Sequence, residues 1–155
     1  MMITIRLAAE FDRPQLFELI AAIDNFNNAE KELAREVISD GLASEKNGYY
    51  ILVAIDQQDT LLGFICYGPI PITVQRWDMY WIAVAPESAR LGIGTLLLQA
   101  MEEKLGQGRI YVDTSSTPGY NKARSFYERH GYQVACVLPD FYATGDDKIV
   151  YCKEL

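Results

Sequence analysis

Hydrophobic residues in this chain fall into short blocks whose spacing switches between two and three-to-four, the mark of strands interleaved with helices. Thr4 to Leu7 reads as a short first strand. Asp12 is placed to cap a helix, with Pro14 in its first turn and Leu16, Phe17, Leu19 and Ile20 on its apolar side. A polar stretch from Asp24 to Glu30 leads to a second helix around Lys31 to Ser39, which Gly41 is expected to stop. Tyr49 to Ile55 and Leu61 to Tyr67 are β-rich runs divided by Asp56-Gln57-Gln58-Asp59, a hairpin signal.

Pro69 and Pro71 break the next loop, and Asp78 to Ala85 is a third β-rich run ending at Pro86. Past the sequence RLGIG, Ile93, Leu96, Leu97, Ala100, Met101 and Leu105 form a helical stripe that Gly106 stops. Arg109 to Thr114 is another strand. A helix joins it to the strand before, which predicts a parallel βαβ unit. A last helix from Asn121 to His130 ends at Gly131, and Tyr132 to Val137 with Lys148 to Lys153 predict an antiparallel pair. No repeat or linker interrupts residues 1–155, so the chain reads as one mixed α/β domain.

Composition narrows the function. With 14 basic and 21 acidic residues the net charge is -7, which argues against a nucleic-acid partner. Cys66, Cys136 and Cys152 are widely spaced and His130 is the one histidine, so no zinc pattern is present and no metal is expected. Buried, reduced thiols in a cytoplasmic protein are the expectation. No apolar run approaches the ~18 residues that a membrane span requires, and the N-terminus meets acidic residues too early for a signal peptide. Self-association as a homodimer is left open.

Two segments carry chemistry. Ala89-Arg90-Leu91-Gly92-Ile93-Gly94-Thr95 lies between a strand and a helix, where glycines let backbone N–H groups approach a phosphate and the helix N-terminus favours negative charge. Arg90 could add a direct contact. The letters do not fit a Walker loop, since no lysine follows Gly94, nor a dinucleotide fingerprint, since position 97 is leucine. Downstream, in YNKARSFYERHGY, Ala123 and Tyr127 are four apart and share a helix face. Tyr127 reads either as a hydroxyl presented to the strand ends or as a core aromatic.

Together these segments, with the strand WIAVAP before them, resemble the GNAT superfamily of acyl-CoA-dependent N-acyltransferases from about Asp78 to Tyr132. The resemblance implies a mostly antiparallel sheet with a central, splayed parallel pair, and acetyl-CoA as cosubstrate. It assigns the phosphate loop to Ala89, Arg90, Leu91, Gly92, Ile93, Gly94 and Thr95. Ala89 stands where the family usually has arginine or glutamine, and Arg90 is the candidate to compensate. The pantetheine arm falls to the backbone of Ile82, Ala83 and Val84, with the Ile82 amide also polarising the thioester carbonyl. Asn121 and Ala123 match the helix flanking the cofactor, and Tyr127 the tyrosine beside the departing sulfur.

The same resemblance implies transfer of an acetyl group to a primary amine of a small molecule or protein. Asp78 is the first candidate for the base, expected on one strand face with Tyr80, Ile82 and Val84. An exposed, inert aspartate and a water chain are its alternatives. Asp140-Phe141-Tyr142 with Gly145-Asp146-Asp147 is expected as an acidic, aromatic loop, either bordering the acceptor pocket or simply solvated. His130 is expected to be structural. A domain of this fold that binds acyl-CoA without turnover is the alternative to the enzyme, and Tyr127 favours the enzyme.

Overall fold

A computed structural model describes residues 2–155. Seven strands form one sheet in the order β1-β2-β3-β4-β5-β7-β6. They are β1 (Thr4–Leu7), β2 (Tyr50–Ile55), β3 (Leu61–Pro69), β4 (Arg76–Val84), β5 (Arg109–Ser115), β6 (Gln133–Ala143) and β7 (Asp146–Glu154). All neighbours are antiparallel except β4 and β5. The helices are α1 (Arg13–Ala21), α2 (Asn28–Ala43), α3 (Ile93–Leu105) and α4 (Asn121–Arg129).

Alternation along the central strands divides the core. Ile51, Val53 and Ile55 of β2, with Phe64 and Cys66 of β3, pack against Leu16, Leu19 and Ile20 of α1 and Ala34 and Ile38 of α2. Leu52, Ala54 and Ile65 face the other way, against Leu97, Leu98 and Met101 of α3 and Tyr127 of α4. The sheet is therefore the middle of three layers, the arrangement expected when helices must cover both faces.

Several expected boundaries shift. Asp12 does not cap α1 with its side chain. Its buried carboxylate instead accepts from the Ala9 N–H and from Arg6, with Arg6 Nη1 at 2.7 Å. The second helix starts earlier, because Asn27 and Glu30 form a reciprocal capping box. It also runs through Gly41, which lies inside α2. A β-carbon there would come within 2.9 Å of the Ile51 side chain, so close packing on β2, rather than termination, accounts for this glycine.

The acidic loop expected near the C-terminus is not a loop. β6 and β7 continue to a two-residue turn at Thr144-Gly145, closed by the Ala143–Asp146 pair with Gly145 at φ 81°. Every residue of β6, one of the sheet's two edge strands, is exposed. Only Cys66 meets the expectation of a buried thiol, while Cys136 is exposed and Cys152 half-buried. Among the described residues, no helix is long and apolar enough to cross a membrane.

Candidate active site

The parallel pair is short. β4 and β5 are in register only at Arg76–Arg109, Trp77–Ile110 and Asp78–Tyr111. Beyond Asp78 the strands part, leaving the β5-side edge of β4 open along Ile82, Ala83 and Val84. Backbone groups on such an edge are free to pair with an extended ligand, as an added strand would.

A glycine turn closes one end of this opening. Gly92 is the N-cap of α3 with φ 73°, a left-handed conformation that favours glycine. It has no side chain with which to cap the helix. Among the described residues, the N–H groups of Gly92, Ile93, Gly94 and Thr95 have no acceptor, and the helical pattern begins with Leu96 N–H to the Gly92 carbonyl. Ala89 and Leu91 are less available, because their N–H groups donate to Pro86 and Ser88. A β-carbon on Gly94 would lie 3.2 Å from the Phe126 ring and 3.8 Å from Val84. The turn, the end of β4 and α4 therefore meet at this point. Arg90 is exposed beside them.

α4 forms the adjoining wall. Ala123 and Phe126 are partly buried against the core that contains Met79, Ile110 and Val112 of the two parting strands. Tyr127 is 7% exposed and packs against Tyr151 and Tyr132, with ring centroids at 5.7 and 6.1 Å. Both neighbours spend their hydroxyls on glutamates, Tyr132 on Glu102 and Tyr151 on Glu128. The Tyr127 hydroxyl has no such partner among the described residues. Burial, aided by Tyr151, pushes its pKa upward, so it keeps its proton. Asn121 opens α4, is exposed, and accepts through its side chain from Arg124.

Asp78 is the last paired residue before the strands separate. Its predicted strand face needs correction. Met79 pairs with Tyr67 and Trp81 with Cys66, so Tyr80 is an extra residue, a β-bulge. The bulge resets the alternation. Trp77, Met79, Ile82 and Val84 pack on the α3 side, and Tyr80, Trp81 and Ala83 on the α1 and α2 side. Asp78 thus shares a face with Tyr80 but not with Ile82 or Val84. Burial, and then Asp113, raise its pKa, against a smaller lowering by Lys148.

Further contacts on that side were not legible in the sequence. Tyr120 donates to Glu30 at 2.9 Å, which joins α2 to the segment before α4 across 90 residues of chain. Ser115 Oγ donates to Asp146 at 2.5 Å, and Lys148 lies 3.1 Å from Asp113. These bonds hold the β6–β7 hairpin against the end of β5. Such pairings join distant segments, so no local periodicity or motif signals them. Among the described residues, no group of three or more His, Cys, Asp or Glu side chains could hold a metal ion.

The acetyltransferase (GNAT) domain family matches residues 47–134. An N-alpha-acetyltransferase from Sulfurisphaera tokodaii is 34% identical over 91 residues, 55% of this chain and 52% of that protein. The chain spans 52% and 61% of the length of the two curated relatives it matches. A crystal structure of a GNAT-family protein from Desulfovibrio desulfuricans superposes with a TM-score of 0.93 at 32% identity, covering 99% of both chains. The PaiA N-acetyltransferase of Thermoplasma acidophilum, solved in complex with coenzyme A, covers 100% of both chains with a TM-score of 0.78 at 18% identity, a likeness of fold alone.

Proposed function

Because this chain belongs to the GNAT acetyltransferase family, we propose that residues 1–155 act as one N-acetyltransferase domain, moving acetyl from acetyl-CoA to a primary amine. The observation that carries this reading is the juxtaposition of parting parallel strands with four free amides at the N-terminus of α3. The amides of Gly92 to Thr95 receive the pyrophosphate, where the helix dipole adds to their hydrogen bonds, and Arg90 supplies a nearby cation. The pantetheine arm pairs with the open edge of β4 at Ile82, Ala83 and Val84. Asn121 and Ala123 flank it from α4.

The reaction then needs three proton transfers, two off the nitrogen and one onto the sulfur. The amine must lose its proton before its nitrogen attacks the thioester carbonyl. The new C–N bond forms a tetrahedral intermediate, whose oxyanion the Ile82 amide stabilises. The nitrogen, still carrying its second proton after attack, loses it as the C–S bond breaks, and Tyr127 donates its own proton to the departing thiolate. Burial makes Tyr127 a weaker acid than free phenol, but a thiolate in the same desolvated cleft becomes a stronger base. Carboxylates at Asp78, Asp113, Asp146 and Glu30 favour a cationic acceptor on the α1 and α2 side of the sheet. We place the enzyme in the cytoplasm, which suits three cysteines that remain free.

Thiol release from acetyl-CoA, measured over a panel of primary amines, tests this reading. Amine-dependent release supports it, whereas tight CoA binding without release from any amine points to a sensing module instead.

Asp78 is the base in this scheme, and Asp78→Asn separates its chemical role from its structural one. Turnover should fall most at low pH, where free amine is scarcest. The raised pKa means that the folded state binds this proton more tightly than the unfolded chain does. Ionised Asp78 therefore costs stability above its folded pKa, and that cost disappears as pH falls through it. The asparagine variant should accordingly melt at a higher temperature than wild type at neutral pH. An unaltered pH–rate profile in the variant would remove Asp78 from the mechanism.

A further inference from the structure

His130, the chain's one histidine, has no part in the chemistry described above. It follows the last residue of α4, and both of its ring nitrogens are engaged. Nδ1 is 2.7 Å from the Phe126 carbonyl oxygen. A carbonyl can only accept, so Nδ1 carries the hydrogen and Nε2 of the neutral ring is an acceptor. Nε2 is 3.0 Å from Thr95 Oγ1, and to the neutral ring it is the threonine hydroxyl that donates. The imidazole also rests on the Phe126 ring, with centroids 4.4 Å apart.

Thr95 is the third residue of α3, and its N–H is one of the four free amides. Phe126 is the ring against which Gly94 packs. A helix start whose N-cap is glycine has no side chain of its own to hold the first turn. The bond from Thr95 to His130 provides that restraint from another helix.

We propose that His130 is a positioning residue for the donor's phosphates: through Thr95 it fixes the direction of the first-turn amides of α3. The proposal rests on the function proposed for that turn, which is to hold the pyrophosphate. It confines the effect of His130 to the donor's phosphate end. Contacts made equally in the ground and transition states alter KM rather than kcat.

Two donors test this, acetyl-CoA and S-acetylpantetheine, which carries the same thioester without a pyrophosphate. In His130→Asn the side-chain nitrogen can keep the Phe126 bond but cannot reach Thr95, whereas the longer side chain of His130→Gln can. Thr95→Val deletes the hydroxyl at nearly constant volume. Loss of one hydrogen bond should raise the KM for acetyl-CoA about 5–10-fold in His130→Asn and in Thr95→Val. The pair combined should be no worse than either alone. His130→Gln should restore most of the loss, and kcat and the KM for S-acetylpantetheine should stay near wild type throughout.

Unchanged KM for acetyl-CoA in folded variants overturns the proposal, as does an equal loss with both donors, the pattern of a general packing defect. Should His130→Asn fail to fold, Thr95→Val breaks the same bond from the other side and decides the matter alone. If the wild-type protein already treats the two donors alike, the phosphate role of the turn fails first and takes this proposal with it.

Discussion

Tyr127→Phe is expected to lower turnover with acetyl-CoA by about 10²–10⁴-fold, the usual worth of general-acid assistance. CoA affinity should stay nearly unchanged, because the ring and its packing remain. The surroundings of this residue sharpen the test. Tyr132 and Tyr151, its neighbours in the core, direct their hydroxyls to Glu102 and Glu128, whereas Tyr127 has no intrachain partner for its own among the described residues. Removing that hydroxyl breaks no hydrogen bond within the fold, so the melting temperature should hold or rise slightly. A tyrosine that served only the core would leave turnover intact. Measuring turnover, CoA affinity and melting temperature on this single variant separates the two roles, and near-wild-type turnover would reject the proton donor.

Gly94→Leu should weaken CoA binding by about 5–150-fold, the range that overpacking by 1–3 kcal/mol corresponds to. A β-carbon at this position already crowds the Phe126 ring at 3.2 Å. The added branches must either displace that ring or occupy the space over the free amides. Either response disturbs the turn that receives the phosphates. Gly92 differs, since a β-carbon there meets nothing within 4 Å and the obstacle is instead its φ of 73°. Calorimetric titration of CoA into a variant shown by circular dichroism to be folded is the deciding measurement. Unchanged affinity would move the pyrophosphate away from this turn.

The sequence was most legible where a local rule governed the structure. α3 ends at Leu105 and the first strand spans Thr4–Leu7, both as the apolar spacing predicts. The parallel relation of β4 and β5 follows from the helix that joins them. Tertiary contacts set what local rules could not. Gly41 has the composition of a helix stop, yet proximity to Ile51 and Tyr49 makes glycine the residue that fits inside α2. The bulge at Tyr80 defeats simple alternation, so Ile82 and Val84 do not share the face of Asp78 and Tyr80 as period two predicts. The mixed aromatic and acidic letters from Asp140 to Asp147 suggest a loop, but Thr144-Gly145 supplies the turn and the rest belongs to the strands.

The candidate site divides in the same way. The glycine turn and the α4 tyrosine carry their signal in the letters. Which amides before the helix stay available does not, because a 3₁₀ turn at Pro86–Ser88 takes up the Ala89 and Leu91 N–H groups. Nor does the tie from His130 to Thr95, which joins the end of one helix to the start of another 35 positions away.

The uneven burial of the cysteines makes the native protein a selective target for thiol labelling. Burial pushes the Cys66 thiol up to about 12, which leaves almost no thiolate to react at neutral pH. Cys136 is exposed on the outer strand of the sheet. A maleimide fluorophore will therefore attach first at β6 without any engineered residue. Because that strand's outer edge is unpaired, the dye would sit where any added strand must dock, and its emission would signal that edge being covered.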